Sequence, residues 1–392
     1  NFHERVLKVL CDLDNEGKTY YIDEYDVGSG VTITFNGSFN YNSYSGSLTI
    51  PSTLRGYAVK GISDNAFRDS SGLTSITIPS SVTNIGSFAF YNCTQLKSVS
   101  IGSGVKSIGW SAFAYCSALT SITIPNNVET LEDDVFMYCS KLNSVSIGTG
   151  LKSIPSGVFS GTALVSNAAN GLIVVSNCLI SRKGTLPSSV TIPSNVRLIA
   201  EGLLSGTRVL TSISVNSGNS YFSASNGILY NKDKTELICC PAGKTGSITV
   251  ASGVKRIGVE AFYYGALTSV SLPSGLESIG RNAFTASSIT SISIPSSVKE
   301  LGSGAFSQCY GLKTVNIPNG VERIGDWAFE SCTALASASI ARSVKSVGQD
   351  AFNQTALWEN HGSGLVMVDG CVLGYKGTSP TSITLPSSTR IV

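Results

Sequence analysis

Apolar and hydroxyl residues alternate along this chain in short bursts. In Ser75-Ile76-Thr77-Ile78 every second side chain is apolar, the period of a strand with one buried face. Pro79 then removes a backbone donor and ends the burst. Two more apolar positions follow, Val82 and Ile85, then Gly86 and the pair Ala89-Phe90. The whole pattern, L-x-x-[IV]-x-[IL]-P-x-x-[VL]-x-x-I-G-x-x-A-F-x-x-C, then returns. Phe67, Phe90, Phe113, Phe136 and Phe159 are spaced by twenty-three residues. Phe262, Phe284, Phe306, Phe329 and Phe352 are spaced by twenty-two or twenty-three. A fixed period of this size belongs to chains whose turns bury their apolar faces only against neighbouring turns. The pattern predicts a β-rich solenoid, with repeats of about 23 residues stacking a parallel β-sheet and a short helical or irregular convex side.

The places where the pattern fails are themselves copies. Ala163-Leu164, Asn170-Gly171-Leu172-Ile173, Cys178 and Arg197 have counterparts at Ala356-Leu357, Ser363-Gly364-Leu365-Val366, Cys371 and Arg390, all offset by 193 residues. A third relative runs from Asn226-Gly227-Ile228-Leu229-Tyr230 to Pro241. These read as hairpin-like inserts near 165–245 and 357–385, decorating turns of one solenoid over 46–392. Residues 1–45 lack the pattern. Their short apolar runs at 6–10, 19–22 and 31–35 predict strands of an N-terminal β cap, which would shield the first turn. Thr389-Arg390-Ile391-Val392 stops where its copy at Val196–Ile199 continues, so a truncated C-terminal end is expected.

Composition narrows the function classes. Hydrophobic residues make up 42%, ample for a core, and charged residues only 13%, against about a quarter in an average soluble protein. A net charge of +2 offers no footprint for nucleic acid. No apolar run reaches the ~18–20 residues that span a bilayer. The chain starts without methionine or a signal peptide, as a processed or truncated fragment would.

LTSITIPSSVTNIGSFAFYNC, LTSITIPNNVETLEDDVFMYC and GLKTVNIPNGVERIGDWAFESC resemble the BspA-like leucine-rich repeats of secreted and surface proteins from host-associated microbes. The resemblance implies an extracellular or cell-surface, non-enzymatic protein that binds host matrix or other cells. It supplies no fixed binding motif.

The candidate chemistry is sparse. Cys93, Cys116, Cys139, Cys309 and Cys332 share one repeat position, which elsewhere holds Ser70, Thr162, Gly265, Ser287 and Thr355. Such a position asks for a small residue, and parallel Cβ vectors are poor disulfide geometry, so free thiols are expected. Two distant histidines, His3 and His361, offer neither a zinc set nor a triad base. Asp12-Leu13-Asp14-Asn15-Glu16-Gly17 only partly mimics a calcium loop, and a hairpin turn explains it as well. No cofactor, metal site or catalytic residue is expected.

Three surface rows remain. Ser75/Thr77, Ser98/Ser100, Ser121/Thr123 and Ser144/Ser146 would form a hydroxyl-covered sheet face, either a solvated surface or a broad adhesive one for protein or glycan. Lys106, Glu129 and Lys152, and later Lys255, Glu277, Lys299, Glu322 and Lys345, alternate in sign from turn to turn, a device that fixes stacking register if the charges meet. Tyr115, Tyr138 and other aromatics flank the Phe-x-x-small phrase, as supports of the stack or as exposed anchors according to their burial. Trp358 marks an insert tip, where a break in the repeat can build specificity. The expected function is an adhesion or recognition scaffold making multivalent protein contacts. The alternatives are a glycan-binding module of a polysaccharide-capture system, favoured by exposed aromatics beside carboxamides, and a structural spacer for a missing domain.

Overall fold

The computed structural model describes residues 10–13, 19–23, 31–34, 45–54, 56–378 and 382–390. They fall into two compact units, Asn1–Thr185 with Val196–Leu203, and Leu186–Asn195 with Leu204–Val392. Each regular turn within a unit repeats three stretches.

The first stretch is the alternating strand. In the first unit Ser45–Thr49, Gly72–Ile78 and Ser98–Ile101 pair in parallel, as do Ser121–Ile124 and Ser144–Ile147. The register is one repeat, with Ser75 opposite Ser98 and Thr77 opposite Ser100. Ile76 and Ile78 point into the core, as the period of two requires. A second stretch is a two-residue strand. Asn84–Ile85, Ser107–Ile108 and Thr130–Leu131 build a separate parallel ladder onto Tyr57–Ile62. Gly86 and Gly109 follow it where adjacent turns nearly touch. A Cβ there would fall 2.5 Å from the Asp64 amide nitrogen and 2.6 Å from that of Ser87.

The third stretch is the convex arc, and in the regular turns it is not helical. It is a run of tight turns with two left-handed residues, such as Phe88 and Asn92, Ser111 and Tyr115, or Asp134 and Tyr138. Alternate amides close the arc locally, Tyr91 N–H onto the Phe88 carbonyl and Cys93 N–H onto that of Phe90. The amides between them donate to the next turn: Phe88 to Trp110 at 2.8 Å, Phe90 to Ala112 at 2.7 Å, and Asn92 to Ala114 at 2.8 Å. The left-handed conformation costs roughly 1–2 kcal/mol at a non-glycine residue. It persists at Phe88, Asn92, Ser111, Tyr115 and Tyr138 because each donates its amide to a ladder onto the next turn.

Each unit has its own core. The phenylalanine column runs through it, with ring centroids 5.0–5.8 Å apart in the first unit and 4.6–5.3 Å in the second. Cys93, Cys116, Cys139, Cys178, Cys239, Cys240, Cys309, Cys332 and Cys371 are all free and buried. Their slot has a polar task besides being small. Cys93 Sγ donates to the Phe67 carbonyl at 3.2 Å, Cys116 to Phe90 at 3.3 Å and Cys139 to Phe113 at 3.1 Å. Thr162 and Thr355 hydroxyls, in the same slot, donate to Phe159 and Phe352. The sequence indicated size; the structure adds a donor.

The inserts are hairpins. Gly171–Val175 pairs antiparallel with Cys178–Lys183, and Gly364–Val368 with Cys371–Lys376. Each follows a four-residue helix, Ala163–Ser166 or Ala356–Glu359. The copied arginines do the same work: Arg197 Nη2 donates to the Gly148 carbonyl at 2.7 Å and Arg390 Nη2 to that of Ile340 at 2.6 Å, clamping the end of the preceding strand. Lys183 and Lys376 donate to carbonyls at the end of the short helices. The third insert contains Phe222–Ser225, Ile228–Asn231 and Glu236–Cys239 in antiparallel order. Leu10–Leu13, Thr19–Asp23 and Val31–Thr34 are also antiparallel neighbours, and the last pairs in parallel with Tyr57–Ile62. The strand expected at 6–10 lies outside the described residues apart from Leu10, as does most of the Asp12–Gly17 loop.

Candidate functional site

The hydroxyl face forms on the strand sheet of the first unit. Thr77, Ser98, Ser100, Ser121, Thr123, Ser144 and Ser146 are exposed, and Ser75 is half-buried. Parallel pairing sets them in rows, Ser121 beside Ser144 and Thr123 beside Ser146. Some of their capacity is spent within the sheet, since Ser75 Oγ donates to Ser47 Oγ at 2.6 Å. The face is flat, uncharged and free of large side chains, so each contact on it is small.

Aromatic residues gather on the convex arc of the same unit. Tyr115 and Tyr138 occupy the second left-handed position of successive arcs, which turns their side chains outward. Their rings lie 5.0 Å apart, and Tyr91 continues the row at 5.3 Å from Tyr115. Phe88 meets Tyr91 and Trp110 edge-on, at 5.5 and 4.9 Å. Arg68 closes one end with its guanidinium 5.2 Å from the Phe88 ring and 4.8 Å from the Tyr91 ring. At the other end Gly161 lets the Tyr138 ring lie on the backbone, where a Cβ would come within 2.4 Å of it. Trp110 is 47% exposed, Tyr115 39% and Tyr138 46%, so these rings are open to solvent and not interior supports. Desolvation, and after it the nearby Tyr91 and Tyr138 phenols and Asp134, raises the Tyr115 pKa above the ordinary tyrosine value. The phenol is therefore a neutral donor at physiological pH. The neighbouring carboxamides are occupied: Asn92 Nδ2 donates to Asp69 Oδ1 at 2.8 Å, and Asn65 Oδ1 accepts from Arg68 at 3.1 Å.

The charge row meets as its alternation predicts. Lys152 pairs with Glu129, Lys255 with Glu277 at 3.2 Å, and Lys345 with Glu322 at 2.8 Å. Hydrogen bonds from Lys152 and Lys345 hold the Glu129 and Glu322 carboxyls below the usual glutamate value. A second row in the other unit joins Arg323 to Glu300 at 2.7 Å. All are exposed and crossed between turns, which makes them stacking contacts.

Residues 60–179 and 239–358, more than half of the chain, match the BspA type leucine rich repeat region in six copies. The chain belongs to the BspA-type leucine-rich repeat family. Among solved structures, this BspA-type protein is similar to a leucine rich cell surface protein from Faecalibacterium prausnitzii, 28% identical over 88% of this chain and 93% of that one, with a TM-score of 0.43. The pneumococcal vaccine antigen PcpA is 21% identical over 87% of this chain and 88% of its own, at a TM-score of 0.39. A leucine-rich repeat protein from Eubacterium ventriosum is 21% identical over 95% and 97%, at 0.36. No curated protein matches the chain.

In this BspA-type chain the sequence-selected residues do not form one site. The eight hydroxyl residues lie on the strand sheet, Tyr115 and Tyr138 on the convex arc, and Trp358 belongs to the other unit. Trp358 is half-buried, packs against that unit's core and lies over Gly374, where a Cβ would come within 2.7 Å of the indole. Sequence reasoning did not select Arg68 and Phe88, or rank Trp110 with the two tyrosines. The signal available was their spacing: all fall within four residues of the Ala-Phe pair in successive turns. Among the described residues, no group of three or more His, Cys, Asp or Glu side chains is placed to hold a metal ion. Nor is any helix there long and apolar enough to cross a membrane.

Proposed function

We propose that this protein is a non-enzymatic recognition scaffold of the cell surface, as the Faecalibacterium relative is a cell surface protein, and that its first unit binds a protein partner. The observation behind this reading is the exposed row Trp110, Tyr115 and Tyr138, continued by Tyr91, Phe88 and Arg68. Interface hot spots are enriched in tryptophan, tyrosine and arginine. A row of rings held by repeated backbone also loses little conformational freedom on binding. The carboxamides beside it are bonded internally, which argues for protein over sugar at this edge. The hydroxyl face is a second, weaker surface that adds area along the same unit, and a host matrix or cell-surface protein is the class of partner.

The test screens the chain against immobilised matrix and cell-surface proteins, then repeats any binding with Tyr115→Ala/Tyr138→Ala. Loss of binding with an unchanged unfolding midpoint is the expected result. Undiminished binding by that variant would remove the aromatic edge from the reading. If no protein binds, the spacer alternative takes its place.

A further inference from the structure

Two successive regular turns of the second unit depart from the twenty-three-residue repeat on the arc, and the departure begins in the repeat length. The turns that start at Phe262 and Phe284 have twenty-two residues rather than twenty-three. The missing residue lies between the small slot and the next inward apolar residue. Gly265-Ala266-Leu267 and Ser287-Ser288-Ile289 have one residue in that gap, whereas Cys309-Tyr310-Gly311-Leu312 has two. The left-handed position before the slot also changes, from Tyr264 to Ala286 to Gln308. A short gap and a methyl group in one turn, beside full side chains in its neighbours, leave a notch.

That notch has a volume of about 390 Å³, at the low end of the ~300–1,000 Å³ of small-molecule sites. Ala286, Ser287 and Ser288 line it from the shortened turn, with Tyr264 on the turn before and Gln308 and Tyr310 on the turn after. Arg208, an exposed residue, completes the lining. Tyr264 and Tyr310 are 42% and 56% exposed, so both rings are available. No acidic side chain lines the notch, and Arg208 has no ion pair among the described residues.

We infer that this notch of the second unit binds a carboxylate-bearing pyranose, an acidic sugar of the uronate or sialate class, as part of a glycan. A guanidinium presents paired N–H donors that match a carboxylate in bidentate geometry. Two tyrosine rings offer apolar surface to the C–H groups of a sugar ring. The Tyr310 hydroxyl donates to Gln308 Oε1 at 3.4 Å, which leaves the Gln308 Nε2 group as a donor and the Ser288 hydroxyl as donor and acceptor for a ligand rich in hydroxyl groups. An acidic peptide side chain would satisfy Arg208 and leave the Gln308 Nε2 donors and the Ser288 hydroxyl unused. This site is separate from the aromatic edge of the first unit, whose carboxamides are occupied, and it does not depend on that edge binding protein.

Titration of the full chain with glucuronate, N-acetylneuraminate, glucose and N-acetylglutamate, followed by calorimetry or ligand-observed NMR, tests the inference. At least one acidic sugar should bind saturably and ~tenfold or more tighter than glucose, the worth of a charged hydrogen bond. Whichever acid binds identifies the uronate or sialate source. Arg208→Met should bring that affinity down to the glucose level and make it insensitive to salt. Ala286→Tyr should abolish binding by filling the notch, with a residue that the same backbone position already holds at 115, 138 and 264. The unfolding midpoint should be unchanged in Arg208→Met, because the residue is exposed. The inference is overturned if neither acidic sugar binds, if Arg208→Met and Ala286→Tyr bind like the parent, or if N-acetylglutamate binds as tightly as the sugars.

Discussion

Phe113 illustrates how one residue serves the stack twice. Its ring is fully buried between Phe90 and Phe136, at 5.0 and 5.7 Å, and its amide donates to Val135 in the next turn. Truncation removes ring contacts on both sides and leaves a cavity that the tightly spaced turns cannot close. Phe113→Ala is expected to cost about 3–5 kcal/mol, read from the urea midpoint. The buried cysteines, in the slot and at the third insert, are gentler in size but sensitive to pH. Burial pushes the Cys93, Cys239 and Cys240 thiols up to about 12, while an unfolded thiol titrates near 9.0. Their contribution is whole below the unfolded value and declines as pH rises through the folded one. Stability should therefore fall between about pH 9 and pH 12, and a triple serine substitution should flatten that fall. An unchanged alkaline slope in the substituted protein would contradict the assignment. The same burial makes these thiols slow toward disulfide reagents until the chain unfolds.

Among the elements, the crossed charge row is what the sequence anticipated most fully. Period and sign were visible in Lys106, Glu129 and Lys152, and stacking brings Lys152 onto Glu129. Because the Glu129 and Glu322 carboxyls are held low by their lysines, the unfolded chain binds protons first as the solution is acidified. Stability from these pairs is present above the ordinary glutamate value and disappears as pH falls through the folded one. Glu129→Lys, which sets three lysines in sequence, should lower the unfolding midpoint, and 0.5 M salt, at a few-ångström Debye length, should restore most of it. A midpoint unmoved by the substitution at low salt would show the row to be passive. Inward positions such as Ile76 and Ile78 were legible for the same reason, since period two allows one orientation. The arc was not. Residues such as Phe88, Tyr115 and Glu260 adopt left-handed backbone without glycine, so no local signal announced where their side chains point. Their conformation is dictated by neighbouring turns, and with it the exposure of the aromatic row.

For the molecule as a whole, the proposed function spreads recognition along repeated structure and sharpens it where repetition lapses. Tyr115 and Tyr138 lie on separate turns of one unit, so their losses should accumulate. Single alanine variants are expected to weaken partner binding by about 1–2 kcal/mol each, and the double variant by more than either. A double variant no weaker than a single one would point to one dominant contact elsewhere. The hydroxyl face, tested by Thr77→Ala/Ser100→Ala, should change affinity by less. Sequence named residues on both faces, yet left the aromatics open between support and anchor because composition does not reveal exposure. The notch was present only as two twenty-twos in a series of twenty-threes.

The convex ladder has one further consequence. Phe88, Phe90 and Asn92 all give their N–H groups to the following turn, and that turn gives its own to the one beyond. Along this strip a turn offers only donors on one side and only acceptors on the other. Two like edges brought together would set donor against donor or acceptor against acceptor. The arc is thus vectorial: it accepts a neighbour head to tail and rejects a mirror-facing copy, a built-in bar to the two-fold pairing by which exposed sheet edges commonly self-associate.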